Sequence, residues 1–256
     1  MKKFKFFNIA IDEMDIDLYI NGMMVSDGND KAFFDYFGVE NTASSEFVQM
    51  LKDNQGKNLT IHINSEGGLF EAGVAMYNAL MDYKGKTTAI VEGLCASAAT
   101  LPMIACEKVQ IKPMGMLMIH CAAVSWSGGN KQDLYKDINM LETLDNTAAI
   151  AYEIKTGLSK DRLLKMMEDE TWMDCHKAKK LGFVDEIDSR VVVPESIITN
   201  HMDNYRAVYN CLNGRATTHP MNVKELEETK PDTQRKADKQ TIANIEFEFI
   251  RNKLKA

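Results

Sequence analysis

The chain has 256 residues, 45% of them hydrophobic and 26% charged, with a formal net charge of −7. That length accommodates one large domain or a domain with an appendage. The acidic balance argues against a general nucleic-acid surface, and no apolar run approaches the length of a membrane span. Met1-Lys2-Lys3-Phe4 runs into an alternating pattern without the apolar core of a secretory signal. The five cysteines, Cys95, Cys106, Cys121, Cys175 and Cys211, are odd in number and form no CxxC pair. They read as reduced thiols in a cytoplasm. Cys175-His176 has no second ligand pair at a metal spacing, so no zinc site and no other cofactor is expected. Charge is uneven: 19 basic against 28 acidic residues over 1–188, and 11 against 9 over 189–256. The two regions are therefore expected to do different jobs, with a boundary at Asp188.

Phe4 to Asn21 alternates imperfectly, which predicts one or two strands ending at Asn21-Gly22. Ser26 to Asn41 is aromatic and acidic and reads as a loop with a short helix. Ser44-Ser45-Glu46 is a helix start, with Phe47, Met50 and Leu51 on its apolar face. Leu59 to Asn64 predicts a strand, Ser65 to Gly68 a turn, and Ala72, Met76, Ala79 and Leu80 a helix. With the strand Thr87–Leu94 this makes a βαβ unit, hence a parallel pair with right-handed crossover. A helix over 97–104, a strand over 108–111 and a strand over 116–120 follow. Val124 to Asn130 is polar and Gly-rich. A long helix then runs to Thr156-Gly157, with Leu134, Ile138, Leu141, Ala148 and Tyr152 near one stripe. Helices from Leu158 to Met167 and from Cys175 to Leu181 precede a closing strand, 183–187. Beyond it, 213–241 reads as a linker and Ile242–Leu254 as a short amphipathic helix that needs a partner surface.

Three features converge on acyl transfer. Ser97 sits in Thr87–Thr100, where small residues let a strand turn sharply into a helix whose N–H groups favour developing negative charge. His120 stands at the end of a following strand, the edge where sites collect in open α/β folds. Glu168-Asp169-Glu170 lies just before Trp172. A serine hydroxyl needs an adjacent base, the base needs a carboxylate, and an oxyanion needs backbone donors, which Gly67-Gly68 can supply. Each feature also has a plainer reading: a glycine turn, a core histidine, a solvated helix end. Cys95 and Cys121 pose a thiol alternative, set aside because Cys95 falls within the strand and Ser97 at the turn.

Ile63-Asn-Ser-Glu-Gly-Gly68, Gly93-Leu-Cys-Ala-Ser-Ala-Ala99, Met118-Ile-His120 and Glu170-Thr-Trp-Met…Ala178-Lys-Lys-Leu-Gly-Phe-Val-Asp185 resemble, in this order, the Clp protease proteolytic subunit family. They look closest to its phage and prophage branch, the head maturation proteases, over about residues 15–188. The resemblance implies a Clp-like, crotonase-type α/β fold of repeated βαβ units with a protruding handle helix. It implies Ser97 as nucleophile, His120 as base and Glu170 as acid, with Asp169 the alternative. The N–H groups of Gly68 and Ala98 would form the oxyanion hole. Gly67 and the segment with Ser125, Ser127 and Gly128 would bind extended substrate. Glu170 departs from the aspartate of degradative members, and Glu66 from the family's usual proline. The implied partners are protein substrates, namely capsid or scaffold proteins, and further copies of the chain in rings. No nucleic acid or membrane is implied. The implied place is the bacterial host cytoplasm or the assembling phage head. Two competing expectations are a degradative subunit working with an ATP-driven unfoldase and a non-catalytic scaffolding relative. Hydratase chemistry on acyl thioesters shares the fold, but a serine–histidine pair does not serve enolate stabilisation.

Overall fold

The computed structural model describes residues 10–11, 14–124 and 127–188. The extension from residue 189, including the expected linker and amphipathic helix, lies outside the described residues, as does Ser125. Alternation builds the central strands. β2 (Asp15–Val25) buries Ile16, Leu18 and Ile20, and β4 (Asn58–Gly68) buries Leu59, Ile61 and Ile63, while the residues between them are only partly covered. One face of the sheet therefore carries the core. Phe47 of α2 (Ser44–Asp53), Met76 and Leu80 of α3 (Phe70–Met81) and Met103 of α4 (Thr100–Ala105) are buried with it. Each such side chain contributes on the order of 1.5–3 kcal/mol by leaving water.

β4 pairs in parallel with β2 on one side and with β5 (Thr87–Ala96) on the other, as a βαβ unit requires. β5 then divides its outer edge. Thr88–Val91 pairs with β6 (Lys108–Ile111), and Leu94–Ala96 pairs with β7 (Met116–Ile119). β6 is completed by β9 (Glu186–Ile187). On the far edge β2 carries β1 (Ala10–Ile11), antiparallel, and β3 (Asn41–Ala43), parallel. α1 (Gly28–Tyr36) fills the aromatic stretch before β3, capped by the Asp27 carboxylate on the N–H groups of Asn29 and Asp30.

Two expectations are corrected here. The first strand does not stop at Asn21-Gly22 but runs on to Val25 through a register shift between Asn21 and Met23. Gly22 has φ of +60°, and a Cβ on it would overlap the Glu40 carbonyl, so the glycine marks a bulge against a crossing chain rather than a strand end. Likewise Gly67-Gly68 is still strand, in register with Met23-Met24. The third difference is an element with no local signal, β8 (Thr171–Asp174), which pairs antiparallel with β7.

The long helix α5 (Lys131–Thr156) opens on a capping box between Asn130 and Asp133 and ends at Gly157 in the left-handed region. Its stripe changes character along its length. Ala148 and Tyr152 are buried, whereas Leu134, Tyr135 and Ile138 are about half exposed, so the first half of the helix stands away from this chain's own core. α6 (Lys160–Glu168) and α7 (Cys175–Lys180) frame β8. No helix among the described residues is long and apolar enough to cross a membrane.

Candidate active site

The Ser97 turn is built where β5 ends. Ala96 is extended, Ser97 takes φ of +54°, and a 3-10 turn, Ser97–Ala99, leads directly into α4. A left-handed backbone at a side-chain-bearing residue costs on the order of 1 kcal/mol, and such strain collects at functional sites. Among the described residues other than glycine only Ser97 and Glu170 (φ +48°) have positive φ. Both belong to the expected triad.

The surrounding contacts hold the serine turn firmly. Thr100 donates its hydroxyl to the Ser97 carbonyl at 2.6 Å and lies 2.6 Å from the Tyr152 hydroxyl. With the threonine proton on Ser97, the tyrosine is the donor of that second bond. Burial raises the Tyr152 phenol above its ordinary range, so it keeps its proton. A helix four elements further along the chain, α5 (Lys131–Thr156), thus anchors the turn. On the opposite side α3 approaches through Gly73, where a Cβ would come 2.7 Å from the Ala98 carbonyl.

Gly67 faces the same turn. A Cβ there would lie 2.7 Å from the Ala96 carbonyl oxygen, 2.8 Å from Ser97 Cβ and 2.9 Å from Ala98 N, at φ of +96°. Glycine is therefore required on both steric and conformational grounds. Its N–H is held by the buried Ser65 hydroxyl at 3.1 Å, which itself donates to the Gly22 carbonyl. Gly67→Ala is expected to cost about 2–4 kcal/mol of stability, because backbone rather than a flexible side chain must give way. Thermal unfolding would measure it, and a melting temperature unchanged from wild type would contradict this packing.

His120 follows the last residue of β7 and brings Nε2 to 2.7 Å from Ser97 Oγ. These two residues are 23 apart in sequence. They meet because Leu94–Ala96 pairs with Met116–Met118, so the two strand ends leave the sheet side by side. The antiparallel β7–β8 ladder then sets Met118 opposite Trp172 and Ile119 opposite Thr171. The ladder ends there, with His120 and Glu170 the residues that adjoin its last pair. Trp172 donates its indole N–H to Glu170 Oε1 at 3.2 Å. Asp169, the C-cap of α6, forms an ion pair with Lys165 at 3.0 Å.

The remaining expected residues fall as follows. The β4–β5 ladder ends at Ser65–Cys95, beyond which Gly68 continues beside Met24 alone. Ala98 is buried at the start of the turn. Ser127 donates to Asp137 of α5 at 2.7 Å, and Gly128 lies three residues before Lys131, the first of that helix. The thiol alternative is poorly served by its surroundings. Cys95 is fully buried and its thiol is pushed far up, while Cys121 is pushed up to about 11 by burial and by the Asp145 carboxylate. No group of three or more metal-ligating side chains is assembled among the described residues.

Glu66, the departure in the glycine turn, has its carboxyl raised by burial and, secondarily, by Glu40. A raised folded-state value means the folded chain holds this proton more tightly than the unfolded chain. That stabilisation is complete below the unfolded value and is lost as pH rises through the folded one. Glu66→Gln is thus expected to raise the melting temperature at pH 7 by about 1–3 °C, with the gain vanishing below about pH 4. A gain equally large at low pH would show that charge is not its cause.

The sequence reading missed Thr100, Tyr152 and Asp145. None has a local signature, since each acts across 23 or more residues of chain or through a helix read only as a stripe.

The Clp protease family matches residues 37–191. The chain is 30% identical over 155 residues to the ATP-dependent Clp protease proteolytic subunit of Bdellovibrio bacteriovorus, a span covering 58% of this chain and 73% of the relative. It is 25% identical over 149 residues to the protein of that name from Bacteroides fragilis (57% and 72%). Over 149 residues it is 26% identical to the one from Deinococcus radiodurans (57% and 72%). The chain belongs to the Clp protease family, and its α/β architecture is the one expected of that family.

Proposed function

We propose that this protein is a serine-type endopeptidase of the Clp type. The observation that carries the reading is the 2.7 Å contact between Ser97 Oγ and His120 Nε2, with the serine in a left-handed turn at a strand-to-helix junction. Ser97 Oγ attacks the peptide carbonyl as its proton passes to Nε2. His120 then returns that proton to the leaving amine, and water repeats the sequence on the acyl-enzyme. The N–H groups of Gly68 and Ala98 receive the oxyanion. Glu170 stabilises the imidazolium, a role supported by the β7–β8 register, while Asp169 is engaged by Lys165. Extended substrate lies along the segment from Ser125 to Gly128 and against Gly67.

The finer role we infer is processing of capsid or scaffold proteins during phage head maturation, in the bacterial cytoplasm. It is supported by the likeness of the four motifs to that branch and by residues 192–256, which lie beyond the family match. The protein assembles into rings, a reading supported by the half-exposed Leu134, Tyr135 and Ile138 of α5. The relatives' name favours a second reading, a proteolytic subunit working with an ATP-driven partner. Intact-mass measurement after a serine-directed fluorophosphonate tests the common core of both. One adduct on wild type is expected, and none on folded, assembled protein would overturn the protease. Co-purification with coat protein supports the first role, and co-purification with an unfoldase supports the second.

A further inference from the structure

The segment leaving His120 is tied to α5 by a carboxylate to which the triad assigns no role. Asp145 Oδ1 accepts the Ala122 N–H at 2.6 Å, and the same carboxylate lies close enough to the Cys121 thiol to help push it up. The two residues that follow the base thus converge on one side chain. Asp145 sits where α5 passes from its exposed half to its buried half, the last turn before Ala148 and Ala149 enter the core. β7 ends at Ile119, so the sheet no longer fixes the chain at His120. A charged acceptor at 2.6 Å makes a short, strong hydrogen bond, about twice as favourable as a neutral one.

We propose that Asp145 is a positioning residue for the proteolytic reaction, holding the Cys121–Ala122 backbone so that the His120 ring stays in line with Ser97 Oγ. The inference rests on the protease reading above. Without this anchor the backbone that follows the base is held less tightly, and Nε2 is less well aligned with the serine. Asp145 touches no reacting atom. Its removal therefore acts on proton transfer, not on peptide binding.

The test compares wild type, Asp145→Asn and Asp145→Leu in peptide hydrolysis and in the rate of fluorophosphonate labelling of Ser97. Asn keeps an oxygen that can accept the Ala122 N–H, whereas Leu removes the acceptor. The expected order is a kcat loss of about threefold for Asn and about 30-fold or more for Leu, with KM within about twofold and the labelling rate falling in parallel. A merely structural role would lower the melting temperature without this graded loss in kcat and labelling. Wild-type kcat in Asp145→Leu, or a loss confined to KM, would overturn the proposal. If Asp145→Leu does not fold, Asp145→Asn decides alone, a wild-type kcat and labelling rate counting against the proposal. A wild type that neither labels nor cleaves removes the protease reading, and this inference with it. An active wild type with indifferent Asp145 variants removes this inference only.

Discussion

Ser97→Ala is expected to lower peptide cleavage by a factor on the order of 10⁵ while leaving the fold intact. The side chain lost is a hydroxyl whose one described partner is His120 Nε2. The left-handed turn itself is retained by the Thr100 bond to the Ser97 carbonyl and by the packing of Gly67 and Gly73. The stability change should therefore stay within about 1 kcal/mol. His120→Ala should match this loss, and the double variant should be no worse than either single one, because in the proposed mechanism nucleophile and base act as a unit. Residual cleavage cannot pass to the neighbouring thiol, since burial of Cys95 disfavours its thiolate. Steady-state hydrolysis of a fluorogenic peptide decides the matter. A Ser97→Ala protein cleaving at the wild-type rate would remove the mechanism.

The second large effect concerns the acid. If Glu170 is the acid of the proposed triad, Glu170→Gln is expected to lower kcat by about 10²–10⁴, because an amide does not stabilise the imidazolium and can favour the wrong tautomer. Asp169→Asn should change kcat by less than about threefold, since its exposed pair with Lys165 is worth little. The reasoning is one of register. Glu170 adjoins the last β7–β8 pair, Ile119–Thr171, as His120 does on the other strand, whereas Asp169 lies one residue further along and caps α6. Among the described residues other than glycine, Glu170 shares a left-handed backbone with Ser97 alone, which favours it as the acid of the proposed triad. Measured turnover in the opposite order would move the acid to Asp169.

The two sites of backbone strain show how far local reading reaches. Ser97 was legible because small residues, a β-branched run and a helix start lie within fourteen consecutive positions, all local signals. Residue chemistry alone made Glu170 one of three acidic residues at a helix end, and only the family resemblance singled it out, with Asp169 as the alternative. The left-handed backbone of Glu170 and its place just before β8 were not legible, because the four residues of β8 carry no distinguishing alternation and the partner strand lies some fifty residues earlier. The glycine pair at 67 and 68 looked like a turn because glycine breaks strands in isolation. In the fold these residues stay in the sheet, since the approach of the Ser97 turn and of Met24 leaves no room for a Cβ.

By itself the sequence determined the parallel α/β architecture, the placement of a serine at a strand-to-helix junction and of a histidine at the end of a strand. These follow from hydrophobic period and from glycine and small-residue placement, which act within a dozen residues. Tertiary structure alone decided which half of α5 is buried, and that Tyr152 and Asp145 tie the Ser97 turn and the segment after His120 to that helix. Those choices depend on strand register and on helix packing between distant segments. Their hydrogen bonds form only after the core has brought the partners together.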